Sequence, residues 1–100
     1  MTNNFETFGY VLATGVVARE RQKVGFMYRE EPDEPGDSGW RFYSNTESQE
    51  YIDNPDNIQI YEIKTIIDID PDILPYLDAE PGTCFERCEG TNEFAVVTDC

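Results

Sequence analysis

The stretch from Lys23 to Tyr43 constrains the fold most. It holds two short runs of β character on either side of a segment that can be neither helix nor strand. In Lys23 to Arg29, Val24, Phe26 and Tyr28 alternate with Lys23, Gly25, Met27 and Arg29, which is the two-residue period of a strand. Gly25 within that run marks a bulge or a close backbone approach. Trp40 to Tyr43 repeats the alternation, with Trp40 and Phe42 on one face and Arg41 and Tyr43 on the other. Between the runs, residues 30–39 contain two prolines, two glycines and five acids. Pro35-Gly36 and Asp37-Ser38-Gly39 are turn signals. Two neighbouring antiparallel strands joined by an acidic loop are therefore expected.

The flanking chain supplies the other elements. Phe8 to Ala13 reads as a first strand, ending near Thr14-Gly15, and Val16 to Gln22 reads as a helical turn or a continuation of that strand. Thr46-x-x-Gln49 fits a capping box, and Asn54-Pro55 stops the helix it would begin. Ile58 and Ile60 alternate as in a strand, whereas Ile63, Ile66 and Ile67 share one helical face. Asp70-Pro71 is a helix start with Asp as N-cap and Pro in the first turn. Ile73, Leu74 and Leu77 would face the core, and Pro75 keeps that helix short. Pro81-Gly82 is a turn, and Thr83 to Arg87 and Phe94 to Val97 close the chain as two strands. The expected class is α+β: a small, mainly antiparallel sheet of about five strands with two or three short helices. One domain over residues 1–100 suits this length, with no repeat or linker.

Charge narrows the partners. The chain carries 21 acids and 7 bases, a net charge of −14. The first fifty residues hold 9 acids and 5 bases, the second fifty 12 and 2. Such a surface repels phosphate backbones and anionic membranes, and it favours a basic protein or a cation. Arg19, Arg21 and Lys23 make a small basic spot on this acidic body. No apolar run reaches the length of a membrane span. The start, Met1 to Glu6, lacks a basic region followed by an apolar stretch, so a cytoplasmic location is expected.

The side chains available for chemistry are few. Histidine is absent, which removes the usual acid–base group near neutral pH and any Ser-His-Asp or Cys-His arrangement. Cys84, Cys88 and Cys100 are an odd set, expected as reduced thiols with Cys100 mobile at the end. They fall one ligand short of a structural zinc site unless an acid such as Asp99 serves. Asp68, Asp70 and Asp72 occupy the first ligand positions of a calcium loop. Ile73 and Ala79 stand where that loop needs Gly and a bidentate Glu. Asp70 as a helix cap is the simpler account. No phosphate-cradling glycine motif occurs. No cofactor, metal or catalytic residue is expected.

Several blocks together resemble one small bacterial family. They are Val24-Gly25-Phe26-Met27-Tyr28-Arg29-Glu30-Glu31-Pro32, Asp37-Ser38-Gly39-Trp40-Arg41-Phe42, Glu50-Tyr51 with Asn54-Pro55-Asp56-Asn57, Ile69-Asp70-Pro71-Asp72-Ile73, and Pro81-Gly82-Thr83-Cys84-Phe85-Glu86-Arg87. Across Gly9 to Arg87 the chain is similar to the immunity protein 33-like family, a domain of unknown function. The resemblance implies a protein that binds and neutralises a cognate toxin, and it carries over no catalytic residue. Cys84 stands where the family has a small residue, which argues against a family-wide thiol function.

Two functions follow. The first is a non-catalytic binding protein whose partner is a protein, such as a basic toxin domain. Glu30, Glu31, Asp33, Glu34 and Asp37 would steer the partner, with Trp40 and Tyr43 as anchors. Trp40 has a second reading, as a core anchor where its strand begins. The alternative function is a carboxylate- or metal-dependent hydrolase, which requires Asp68, Asp70 and Asp72 in a concave pocket with raised pKa values. A regulatory interaction domain unrelated to toxins also fits the composition. Monomer and homodimer both remain open, because an edge strand can pair with its copy.

Overall fold

A computed structural model describes residues 8–98. Its elements, in chain order, are β1 (Tyr10–Thr14), α1 (Gly15–Ala18), β2 (Phe26–Arg29), β3 (Asp37–Tyr43), α2 (Gln49–Asp53), β4 (Ile58–Tyr61), α3 (Ile63–Ile69), β5 (Cys84–Arg87) and β6 (Phe94–Val97). Short 3₁₀ helices at Pro55–Asn57 and Pro71–Tyr76 complete it. The fold is α+β, built on one mixed, mostly antiparallel sheet of six strands in the order β4-β1-β3-β2-β5-β6. The expected hairpin is present: β2 and β3 pair antiparallel with Phe26 opposite Tyr43 and Tyr28 opposite Arg41. The parallel pair is β1 with β3, with an irregular register between Tyr10 and Leu12.

The sheet has two unlike faces. One carries Val11, Ala13, Met27, Trp40, Phe42, Phe85 and Phe94, and it packs against Val17 of α1, Ile63 and Ile66 of α3, and Ile73 and Leu77 after it. Trp40 is completely buried, and its indole N–H donates to the Leu77 carbonyl at 3.3 Å, so its polar group has a partner in the core. Phe42 and Phe85 stack on it at centroid separations of 5.8 and 6.3 Å. The alternation in Lys23 to Arg29 holds only from Phe26 onward. Val24 and Met27 are both buried although they stand three positions apart, which strict alternation would place on opposite faces. The strand changes phase at Gly25, where a Cβ would lie 2.2 Å from the Ser44 carbonyl oxygen. That is the close backbone approach the glycine signalled.

Several local expectations shift by a residue or two. The α2 N-cap is Ser48, whose hydroxyl accepts from the Tyr51 N–H, and not Thr46. Thr46 instead shares a 2.6 Å hydrogen bond with Ser44, so its side chain is engaged before the helix begins. Asp70 and Asn54 cap the two 3₁₀ segments as Asx caps followed by Pro. Leu74 is exposed, unlike Ile73 and Leu77, because the tighter 3₁₀ period turns it away from the sheet. Cys88 is an exposed free thiol. Cys84 is buried and disulfide-bonded, which corrects the expectation of reduced thiols, since sequence spacing does not reveal pairing. Cys100 and Asp99 lie outside the described residues. No helix among the described residues is long and apolar enough to cross a membrane.

Candidate functional site

The acidic loop between β2 and β3 folds over one guanidinium. Arg41 leaves β3 on the face opposite the core and is almost fully buried. Both its terminal nitrogens donate to Asp37, at 2.9 and 2.8 Å, and its Nε donates to Glu30 Oε2 at 2.6 Å. Asp33 lies at 4.0 Å. Asp37 also accepts from the Gly39 and Asp33 N–H groups at 2.8 and 3.1 Å. The Arg41 hydrogen bonds outweigh burial and hold the Asp37 carboxyl far below its usual range, while Asp37 raises the guanidinium in turn. Glu34 accepts from the Tyr10 hydroxyl at 2.7 Å, and that bond pushes the phenol up to about 12.

The seven residues expected at an interface therefore divide into two groups. Asp37 and Trp40 are buried, Asp37 against Arg41 and Trp40 in the core. Glu31, Asp33 and Glu34 are exposed along the loop, Glu30 is half-exposed while paired to Arg41, and Tyr43 is half-buried on the open face. The loop conformation rests on Asp37 and Glu30, and the outward charge comes from the other three.

The aspartates of the hydrolase reading do not form a pocket. Asp68 is exposed. Asp70 is fully buried, accepts from the Val24 N–H at 2.9 Å and pairs with Arg87. Asp72 pairs with Arg87 at 3.0 Å and with Lys23 at 3.4 Å. The hydrogen bond from Arg87 outweighs burial and, with a lesser one from Lys23, lowers the Asp72 pKa, the opposite of the raised value an acid catalyst requires. Arg87 also donates to the Val24 carbonyl and lies 4.7 Å from the Phe94 ring centre, so this cluster ties the helical layer to β5. Among the described residues, no group of three or more His, Cys, Asp or Glu side chains is placed to hold a metal ion.

Of the aromatic residues on the open face of the sheet, sequence reasoning singled out Tyr43 and passed over Phe26 and Tyr28. Phe26, Tyr28 and Tyr43 gather there with ring centres 5.9 to 6.2 Å apart, and the two tyrosines stack. Burial raises the Tyr28 phenol, and its hydrogen bond with Tyr43 adds to that. Phe26, Tyr28 and Tyr43 line a shallow cavity of about 220 Å³ with Glu47 and Ile52, and a neighbouring cavity of about 360 Å³ shares Phe26 and Tyr28 and reaches Glu30. Glu47 accepts from the Thr14 hydroxyl at 2.6 Å and from the Ser44 and Asn45 N–H groups. Burial alone would raise its pKa, but these bonds prevail and lower it. The signal was present in the alternation of Phe26 with Met27. It is visible only once Met27, not Phe26, is known to face the core.

The described residues thus form a small sheet with buried ion pairs, an acidic loop and an aromatic open face. Comparison with protein families goes further: residues 11–98 match the immunity protein Imm33 domain, and the chain belongs to that family. No curated protein and no solved structure matches it.

Proposed function

We propose that the protein is a non-catalytic immunity protein that binds and neutralises a cognate toxin. The observation that carries this is membership of the immunity family across residues 11–98. A net charge of −14 supports a basic partner, since complementary charge speeds encounter and selects against acidic competitors. Glu31, Asp33 and Glu34 project from the loop that Arg41 anchors, and they are the steering charges in this reading, with Glu30 and Tyr43 at its inner margin. Asp37 and Trp40 act through the fold: one fixes the loop, the other the strand beneath it. Of the three aspartates that would serve a hydrolase, Asp70 and Asp72 are taken up by Arg87 and Lys23 and Asp68 is exposed, which favours binding over catalysis.

The test is co-expression with a basic, growth-arresting protein taken from the genes neighbouring its own. The wild-type protein restores growth and co-purifies stoichiometrically with the toxin, and the complex weakens as salt rises. Growth that stays arrested, with no co-purification at low salt, rejects the immunity reading.

A further inference from the structure

The open face of the sheet has a composition that none of the functional arguments so far requires. Register places its side chains in two rows across the strands. Tyr43, Phe26, Glu86 and Ala95 form one, and Ile60, Leu12, Arg41, Tyr28, Cys84 and Val97 form the other. Three aromatic rings at its centre remain partly open to solvent beside two adjoining cavities. Glu86 stands directly across from Phe26, Glu47 forms a wall beside Tyr43, and Glu30 borders the second cavity. Among the described strand residues of this face, Arg41 is the one cation, and Asp37 and Glu30 already neutralise it. Among the described residues, Glu47 and Glu86 accept hydrogen bonds and neither forms an ion pair.

We infer that this face takes an arginine side chain presented by the protein partner, its guanidinium lying against Phe26, Tyr28 and Tyr43 with Glu86 and Glu47 beside it. This inference rests on the immunity reading for the identity of the partner. The physical case is charge complementarity on an aromatic floor. Ring faces attract a cation, most strongly a planar guanidinium that can stack, and flanking carboxylates add directed hydrogen bonds. An apolar ligand would leave Glu86 and Glu47 uncompensated, and an anionic one would be repelled. The same face already binds one arginine of its own, Arg41, by carboxylates from the adjoining loop and strand.

The test uses the whole protein and a defined probe, the peptide acetyl-Gly-Arg-Gly-amide, with acetyl-Gly-Gln-Gly-amide as control, followed by NMR. The arginine peptide shifts the ring resonances of Phe26, Tyr28 and Tyr43, and the glutamine peptide does not. Tyr43→Ala weakens binding about threefold, as loss of one exposed cation–π contact should. Glu86→Lys weakens it roughly tenfold at low salt while leaving every ring in place. Unfolding followed by Trp40 fluorescence establishes that both variants fold. Shifts confined to residues 31–36, equal shifts with the glutamine peptide, or no effect of Glu86→Lys overturn the inference. So does concentration-dependent broadening of the ring signals with a dimer seen by light scattering, which would mean a second copy covers the face. A toxin that binds and leaves the ring resonances unmoved sinks this inference alone, whereas a toxin that does not bind sinks the immunity reading.

Discussion

Removing the Asp37 carboxylate should cost more stability than removing any exposed acid of the same loop. Arg41 is 3% exposed and Asp37 1%, so the pair is shielded from solvent screening. Asp37→Ala leaves a buried guanidinium without its bidentate partner, a change that typically costs about 3–5 kcal/mol. Glu30 remains at 2.6 Å from Nε and is 46% exposed, so it compensates in part and places the expected loss near 3 kcal/mol. With a urea m-value of about 1.5 kcal/mol/M, the midpoint falls by roughly 2 M. Melting temperature falls by roughly 12–24 °C, from about 4–8 °C per kcal/mol in a domain of this size. The lone tryptophan, Trp40, is fully buried and supplies the fluorescence signal. Adding Arg41→Met to Asp37→Ala should restore most of the loss, because the uncompensated charge is gone. The sign with pH follows from the depressed Asp37 pKa. The unfolded chain takes up a proton near the ordinary value of 3.8 and the folded chain only at lower pH. The stabilisation is thus present above about pH 4 and declines as pH falls below it. Asp37→Ala should lose that component of acid sensitivity. A loss under 1 kcal/mol with an unchanged m-value, or an acid profile identical to wild type, would refute this account of the pair.

Asp70→Ala should destabilise by about 3–5 kcal/mol in the same assay, because it strips a fully buried acceptor from the Val24 N–H and from Arg87. Gly39→Ala should cost at least 1–3 kcal/mol from backbone strain alone, since its φ of +92° is unfavourable for a side chain and the added Cβ would meet the Glu30 carbonyl oxygen at 2.2 Å. Titration of Tyr10 by NMR should give a value of about 12, and Glu34→Gln should bring it back toward 10.0 by removing the charged acceptor. Reversing Glu31, Asp33 and Glu34 together to Lys should change urea stability by less than about 1 kcal/mol, since these residues are exposed. It should slow toxin association and flatten its salt dependence in stopped-flow mixing, whereas unchanged association kinetics would remove the loop from the interface.

Elements whose signals are local were legible before the structure. The β2–β3 hairpin came from alternation on either side of a proline- and glycine-rich loop, and the Asp70-Pro71 and Asn54-Pro55 starts came from cap chemistry. The extended-then-helical reading of Ile58 to Ile67 corresponds to β4 followed by α3. The misplaced α2 cap has a local cause too: Thr46 and Ser48 are both competent caps, and Ser44 engages Thr46 first. The candidate site was legible only in part. Five loop acids look alike in sequence, and nothing in their spacing says that Asp37 is buried while Glu31 is exposed. The difference comes from Arg41, which reaches back from the next strand.

By itself the sequence determined an acidic α+β domain with a central hairpin, no histidine chemistry, and blocks that place it beside the immunity proteins. These properties reside in composition, in two-residue alternation and in short motifs, all readable within a few positions. The tertiary structure decided the strand order, the parallel β1–β3 pair, the pairing of Asp70 and Asp72 with Arg87, and which side of β2 is core. Each depends on contacts between residues far apart in the chain. At Gly25 a single break in alternation, forced by the Ser44 carbonyl, turns Met27 inward and leaves Phe26 and Tyr28 facing solvent beside Tyr43.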